Sequence, residues 1–445
     1  MTIQLSDHFT YKKLLRFCIS PIIMMVFTSI YGVIDGLFVS NFVGKVPFAA
    51  INLVMPFIMI LGGVGFMIGT GGSALVAKTL GEGNKTAANR YFTMMILLTA
   101  ISGIILSVVG IVFMRPISLM LGATDAMLEH CVIYGRTVLI FNTAFMLQNV
   151  FQTFFMTAEK PKLGLLATAA AGVANILLDA LFIAVFRWGV AGAALATGLS
   201  QCIGGLLPLL YFLRPNSSLL RLTKTNLDAR VLGKACANGA SELMSNISGS
   251  LVSMLYNFQL MRFAGENGVA AYGVLMYIQF IFVAVFIGYT IGTAPIIGYH
   301  YGAGNRGELK NMLQKSFLLM SAAGIIMMTL AKLLARPLAV IFVGYDQELM
   351  EMTRHAFAVF AYSFILAGLN IFTSSFFTAL NNGAVSAIIS FTRTLIFQTL
   401  SVLILPMLLG LDGIWWANTV AEVLAFAVSL CFLRWQTNQL FVPKK

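Results

Sequence analysis

Residues Gly164–Gln201 read GLLATAAAGVANILLDALFIAVFRWGVAGAALATGLSQ. Two apolar helices meet there at a short turn, Arg187–Gly189. Asn175 and Asp179 are four residues apart and so share one helical face. Thr197 follows inside the second helix. A carboxylate in the middle of a membrane-length apolar run costs about 2.5–3.5 kcal/mol on insertion scales, so an Asp held there needs a function or a partner. Asn, Asp and Thr all present oxygen atoms, the donor set of a proton site or a hard-cation site.

The rest of the chain fits that setting. Of 445 residues, 59% are hydrophobic and 10% charged, with a mean hydropathy of +0.89. A soluble domain carries about 25% charged residues. Apolar runs long enough to cross a bilayer recur twelve times, near 14–39, 48–76, 92–113, 131–157, 163–185, 190–213, 235–261, 269–297, 314–335, 355–380, 384–408 and 413–434. The expected fold class is an all-α polytopic membrane protein. The five cysteines are scattered through apolar runs and predict neither a disulfide framework nor a metal cluster. No cleavable signal is expected, because the first apolar run is too long for one.

Twelve spans place both termini on one side. Of the 28 basic residues, 19 fall on that side, eight on the other, and Arg393 inside a span. The positive-inside rule makes the richer side cytoplasmic, so the expectation is a multi-pass plasma-membrane protein with cytoplasmic termini. The net charge of +12 is then explained by topology, and no nucleic-acid partner is expected.

The chain also repeats itself. A shift of 221 residues lays Phe42–Met55 on Phe263–Met276 without a gap. It lays the Gly81, Gly83, Asn84 loop on Gly302, Gly304, Asn305, and Gly189 on Gly410. One offset holding through six spans is the mark of duplication. Six is even, so both copies enter the membrane in the same direction and leave a central cleft between two lobes. The expected units are an N-lobe, 1–213, a cytoplasmic linker, 214–234, and a C-lobe, 235–445. The copies differ in chemistry: Asn175 and Asp179 fall on Ile396 and Leu400.

Other polar residues inside spans need a reason. Asp35 lies some twenty residues into the first run, and Pro21 before it is the local feature suited to bending that helix. Glu242 in span 7 falls on Pro21 under the shift, and Glu422 in span 12 falls on Gln201. Arg393 is expected to pair with a carboxylate or with backbone carbonyls. Gln152, Asn149 and Asn370 either line the cleft or join helices by hydrogen bonds. Glu242, Arg393, Gln152 and Glu422 are therefore candidates for a second site or a cleft lining. Gly69–Ala74 fits a GxGxxA pattern but lies within a span with no strand before it, so no nucleotide is expected. No metalloprotease, nucleophile-elbow, Walker A or CxxC motif is present, and the chain reads as no enzyme, without a cofactor.

Taken together, the sequence resembles the multidrug and toxic compound extrusion (MATE) family over nearly its whole length. The resemblance rests on the twelve spans in parallel repeats, Pro21, the YxxxDxxFV segment around Asp35 and the GxGN loops. Asn175-x-x-x-Asp179 with Thr197 is its most specific part. It implies an N-lobe cation or proton site built from Asp35, Asn175, Asp179 and Thr197. It implies an antiporter, a monomer in the lipid, that exports small organic, often cationic and amphipathic compounds in exchange for H+ or Na+. Span 7 departs from the pattern: Ala240–Ser241–Glu242 stand where many relatives carry a proline. The alternative is a flippase for a lipid-linked sugar or another amphipathic metabolite, which would favour a cleft rich in Arg and Lys. A receptor, an intramembrane enzyme and a channel fit less well.

Overall fold

The computed structural model describes residues 3–441, with the backbone alone at Ser40, Lys45 and 439–441. Lys444 and Lys445, counted above on the side of the termini, lie outside the described residues. A chain in hydrocarbon must satisfy its backbone internally, and this one does so with helices. In the first half these are α1 (Tyr11–Phe42), α2 (Lys45–Gly81), α3 (Lys85–Met120), α4 (Asp125–Ile140), α5 (Asn142–Thr157), α6 (Pro161–Asp179) and α7 (Gly189–Leu213). The second half holds α8 (Ala229–Gly302), α9 (Arg306–Val343), α10 (Gln347–Phe360), α11 (Phe364–Ala379), α12 (Gly383–Phe391), α13 (Gln398–Leu409) and α14 (Leu411–Phe441).

These make twelve crossings. α4 and α5 bend by 54° about Phe141 and form the fourth. A six-residue π-helix, Ala180–Val185, continues α6 to complete the fifth. The 74 residues of α8 are two crossings that meet at Gly265, whose φ of 61° and ψ of −149° break the helix. A 3-10 turn, Ala361–Ser363, joins α10 to α11, and a π-helix, Thr392–Phe397, joins α12 to α13.

The repeat is visible in the backbone. Gly44 and Gly265, Gly83 and Gly304, and Gly189 and Gly410 are pairs 221 residues apart, and all six have positive φ, a conformation glycine adopts without steric cost. Asn84 and Asn305 both cap the next helix, accepting from the amides of Ala87 and Glu308 at 3.0 Å. The breaks in the fourth and tenth crossings also match, since Phe141 falls on Tyr362. The structure places the start of the seventh crossing at Ala229 rather than 235. Asp228 caps it there, accepting from the Arg230 amide at 2.9 Å.

The lobes meet tightly at the face that carries the amino-terminal segment. A Cβ on Gly81 would run into the Tyr299 carbonyl, and one on Gly302 would run into the Lys78 carbonyl. Gly71 and Gly239 approach as closely, each against the backbone of the other's helix. Small residues at such crossings let backbones touch. Toward the opposite face the contact is lost. A buried cluster around Val39, Ile51, Val54, Tyr134 and Val190 draws only on first-half residues, and Gly32, Gly36 and Gly249 have open space where a side chain would stand. The close backbone contacts between the two halves are therefore concentrated at the terminal face. α1 runs as one helix through Pro21, whose carbonyl lies against Gly288 of the other lobe.

Candidate functional site

The N-lobe site is assembled from α1, α4, α6 and α7. α6 turns Asn175 and Asp179 inward, 1% and 0% exposed. The π-helix begins at the next residue, Ala180. Such one-turn insertions re-aim side chains and break the regular hydrogen-bond ladder. α1 approaches α6 closely because Gly172 leaves room for the rings of Phe27 and Tyr31. That approach carries Asp35 to within charge range of Asp179. Thr197 comes from α7.

Four side chains expected to act together are thus brought to one place, and their oxygens are short of donors. Asp35 Oδ1, Asn175 Oδ1, both Asp179 oxygens and Thr197 Oγ1 are buried without a hydrogen-bond partner. Unpaired buried polar atoms are rare in folded proteins and each calls for an explanation. Four of these five are pure acceptors and the fifth is a hydroxyl that can accept. A proton or a hard cation is the kind of partner that suits such a set.

One residue of this site escaped the sequence reading. Tyr134 on α4 brings its hydroxyl beside Thr197 and within charge range of both aspartates. It is an aromatic ring in an apolar run, and nothing in the local pattern marks it apart from packing residues. Tyr31, the tyrosine of the YxxxDxxFV segment, lies one turn before Asp35 and reaches Gln148 and Thr28.

The candidates for a second site separate. Arg393 and Glu422 form a buried bidentate pair: Arg393 Nε donates at 2.9 and 3.0 Å, and Nη2 donates at 2.7 Å. Asn370 donates to the Glu422 carboxylate at 2.7 Å and to its carbonyl at 2.9 Å. Ser429 donates to Asn370 at 3.0 Å. The expected pairing of Arg393 with a carboxylate is what the structure shows. Glu242 lies within charge range of Arg393 but makes no ion pair among the described residues. Gln152 belongs elsewhere, donating to Thr168 at 3.4 Å between α5 and α6. Asn149 donates to the Gly62 carbonyl at 3.4 Å. Gln152, Asn149 and Asn370 thus join helices by hydrogen bonds. Beside Arg393, a cavity of about 210 Å³ is lined by Tyr256, Tyr272, Gln398 and Asn418.

Known proteins share this fold. The chain is similar to the multidrug export protein MepA of Staphylococcus haemolyticus, with 22% identity over 98% of this chain and 95% of that protein. It is similar to MepA of Staphylococcus aureus (strain MSSA476), with 23% identity over 95% and 92% of the two chains. A crystal structure of MATE in complex with MaL6 superposes with a TM-score of 0.92 at 23% identity, covering 97% of this chain and 98% of that one. The outward-facing conformation of a multidrug resistance MATE family transporter of the MOP superfamily superposes with a TM-score of 0.92 at 23% identity, covering 97% of each. The family described as MatE matches twice, over residues 21–181 and 243–403, once on each copy of the internal repeat. With both halves matched, this chain belongs to the MatE family.

Proposed function

We propose that the protein is a secondary active antiporter that exports organic, cationic compounds in exchange for protons or sodium by alternating access. The observation that carries this reading is the set of five donor-starved oxygens from Asp35, Asn175, Asp179 and Thr197. Two carboxylates facing each other in a low-dielectric pocket repel strongly. A proton shared between them removes that repulsion. Sodium does the same, with Asn175 and Thr197 supplying two further oxygens. Loss of the repulsion lets α1 close on α6, and Pro21 is the place where α1 can bend. Substrate leaves toward the face opposite the termini as the ion enters. The ion drives the cycle only by binding the two lobe arrangements with different affinity.

The C-lobe contributes differently. Its Arg393 is neutralised by Glu422, which leaves Glu242 as the uncompensated carboxylate on the cleft side of α8. A net negative interior suits a cationic substrate. A flippase for a pyrophosphate-bearing lipid needs the opposite sign, and the one guanidinium here is already paired.

The test is dye export from proteoliposomes under an imposed proton gradient or an imposed sodium gradient, for wild type and Asp179→Asn. Export under one gradient that is lost in the variant supports the antiporter and names the ion. Export that survives Asp179→Asn at the wild-type rate rejects the N-lobe as the coupling site.

A further inference from the structure

Residues 3–9 precede the first helix, and they are held as firmly as a structural element. Leu5 and Phe9 are fully buried, and the Phe9 ring packs edge-on against Phe17 at 6.3 Å. The Leu5 amide donates to Glu159 at 2.6 Å. The Phe9 amide donates to Glu308 at 2.9 Å, and His8 Nδ1 meets the same carboxylate at 2.7 Å. The Phe9 carbonyl accepts from Lys315 Nζ at 2.6 Å and from Asn311 at 3.1 Å. Hydrogen bonds to charged groups are the strong ones.

These partners lie on different lobes. Glu159 sits in the turn between α5 and α6. Glu308, Asn311 and Lys315 form the first turns of α9. The segment thus leaves Glu159, crosses to the C-lobe at Glu308, and returns to the N-lobe as α1. It spans the lobe boundary at the face where the glycine contacts bring the two halves together.

The repeat shows what this segment corresponds to. The covalent linker before α8 lies on α3, where Asn89 accepts from the Arg221 amide and Thr93 from the Thr223 amide, both at 3.0 Å. Asn89 and Thr93 fall on 310 and 314, the same stretch of α9 that holds residues 8 and 9. The linker and the amino-terminal segment are therefore counterparts, and each ties one lobe to the other. The linker is a continuous chain that cannot let go. Its counterpart is held on α9 by hydrogen bonds and two apolar side chains alone. Its anchors have no counterparts, since Glu159 falls on Leu380 and Glu308 on Ala87.

We propose that residues 3–9 are a releasable strap: docked on Glu308, they hold the terminal face shut, and they undock each time the lobes part there. This rests on the rocking motion proposed above and adds to it the element that sets its resting position.

A native thiol reports the motion. Cys18 is fully buried, with its sulfur against Gly292 of the opposite lobe, so it becomes accessible only when the terminal face opens. The full chain is prepared in liposomes with the other four cysteines replaced by alanine, and maleimide labelling of Cys18 is followed. Glu308→Ala, or removal of residues 2–8, is expected to raise the labelling rate about tenfold, the factor that one lost hydrogen bond to a charged group is worth. Glu308→Gln keeps one acceptor oxygen and falls between, which separates strap release from loss of fold. In a cysteine-free chain, His8→Cys with Glu308→Cys is then oxidised to lock the strap. The lock is expected to stop dye export, and reductant to restore it. Cys18 labelling equal in wild type and variants, or unchanged export by the locked protein, overturns the strap while leaving the rocking motion standing. A Cys18 that labels in none of them overturns both.

Discussion

Arg393 holds Glu422 through two guanidinium nitrogens inside the C-lobe, while the positions one repeat earlier are Gly172 and Gln201. Arg393 is 17% exposed and Glu422 2%, so the carboxylate has no water to turn to once its partner is gone. Removing one partner strands the other. Arg393→Met is expected to destabilise the protein by about 3–5 kcal/mol. Arg393→Met combined with Glu422→Leu recovers most of that loss, because two buried charges are removed together. Thermal unfolding of the three variants in one detergent checks the ordering.

Asp35→Asn should act like Asp179→Asn, since either change removes one of the two facing charges. Gradient-driven export is expected to fall about tenfold or more, the effect of losing about 1.4 kcal/mol of differential ion binding. Facilitated exchange of labelled substrate without a gradient is retained in both. That split separates lost coupling from lost substrate binding.

Tyr134→Phe removes a hydroxyl from beside Thr197 and keeps the ring in its apolar cluster. Coupled export is expected to fall about threefold to tenfold, the scale of one hydrogen bond. The melting temperature stays within a degree or two of wild type. A large loss of stability instead would make the hydroxyl a packing element rather than part of the ion site.

Gly302→Val places side-chain carbons where the Lys78 carbonyl already lies. Overpacking of this kind costs about 1–3 kcal/mol, and here the cost falls on one lobe arrangement. The terminal face is expected to spring apart. Spin labels at the exposed repeat partners Lys85 and Arg306 read the separation, which increases in the variant.

Glu159 lies outside the spans, and burial pushes its carboxyl above the ordinary carboxylate range, with the Leu5 amide pulling the other way. A carboxyl raised in the folded state binds protons more tightly there than in the unfolded chain. Its ionisation therefore removes stability as the pH rises through the folded value. Glu159→Gln keeps an acceptor for Leu5 and cannot ionise. It is expected to be more stable than wild type at neutral pH, with the gain vanishing once both states of wild type are protonated. Melting temperatures of the two proteins from pH 4 to pH 8 check the sign.

Much of this molecule is legible in one dimension because hydrocarbon permits few backbone solutions. Twelve apolar runs become twelve crossings, and the 221-residue offset reappears as matched left-handed glycines. Asn175, Asp179 and Thr197 are readable for the same reason, since polar atoms at that depth need an explanation. The break at Phe141 was not readable, because apolar residues flank it on both sides and the periodicity continues. Tyr134 was hidden in the same way. The strap was hidden for a different reason: Glu159 and Glu308 look like ordinary loop and helix-start carboxylates until folding brings residues 5 and 8 to them. The sequence allowed Arg393 a carboxylate or a carbonyl, and only the approach of the Thr392–Phe397 π-helix to α14 selects Glu422.

The Ile396 and Leu400 side chains, counterparts of Asn175 and Asp179, are 38% and 47% exposed. In an assembly of two identical subunits every substitution appears twice, so an ion site can be neither kept nor discarded in one subunit alone. Joining the two copies into a single gene lifts that constraint. One copy could retain the buried oxygens while the other took apolar side chains at the equivalent positions and a fixed ion pair, Arg393 with Glu422, elsewhere. On the coupling scheme proposed above, the expected stoichiometry is one ion site per chain, because the second copy holds Ile396 and Leu400 where the first holds Asn175 and Asp179.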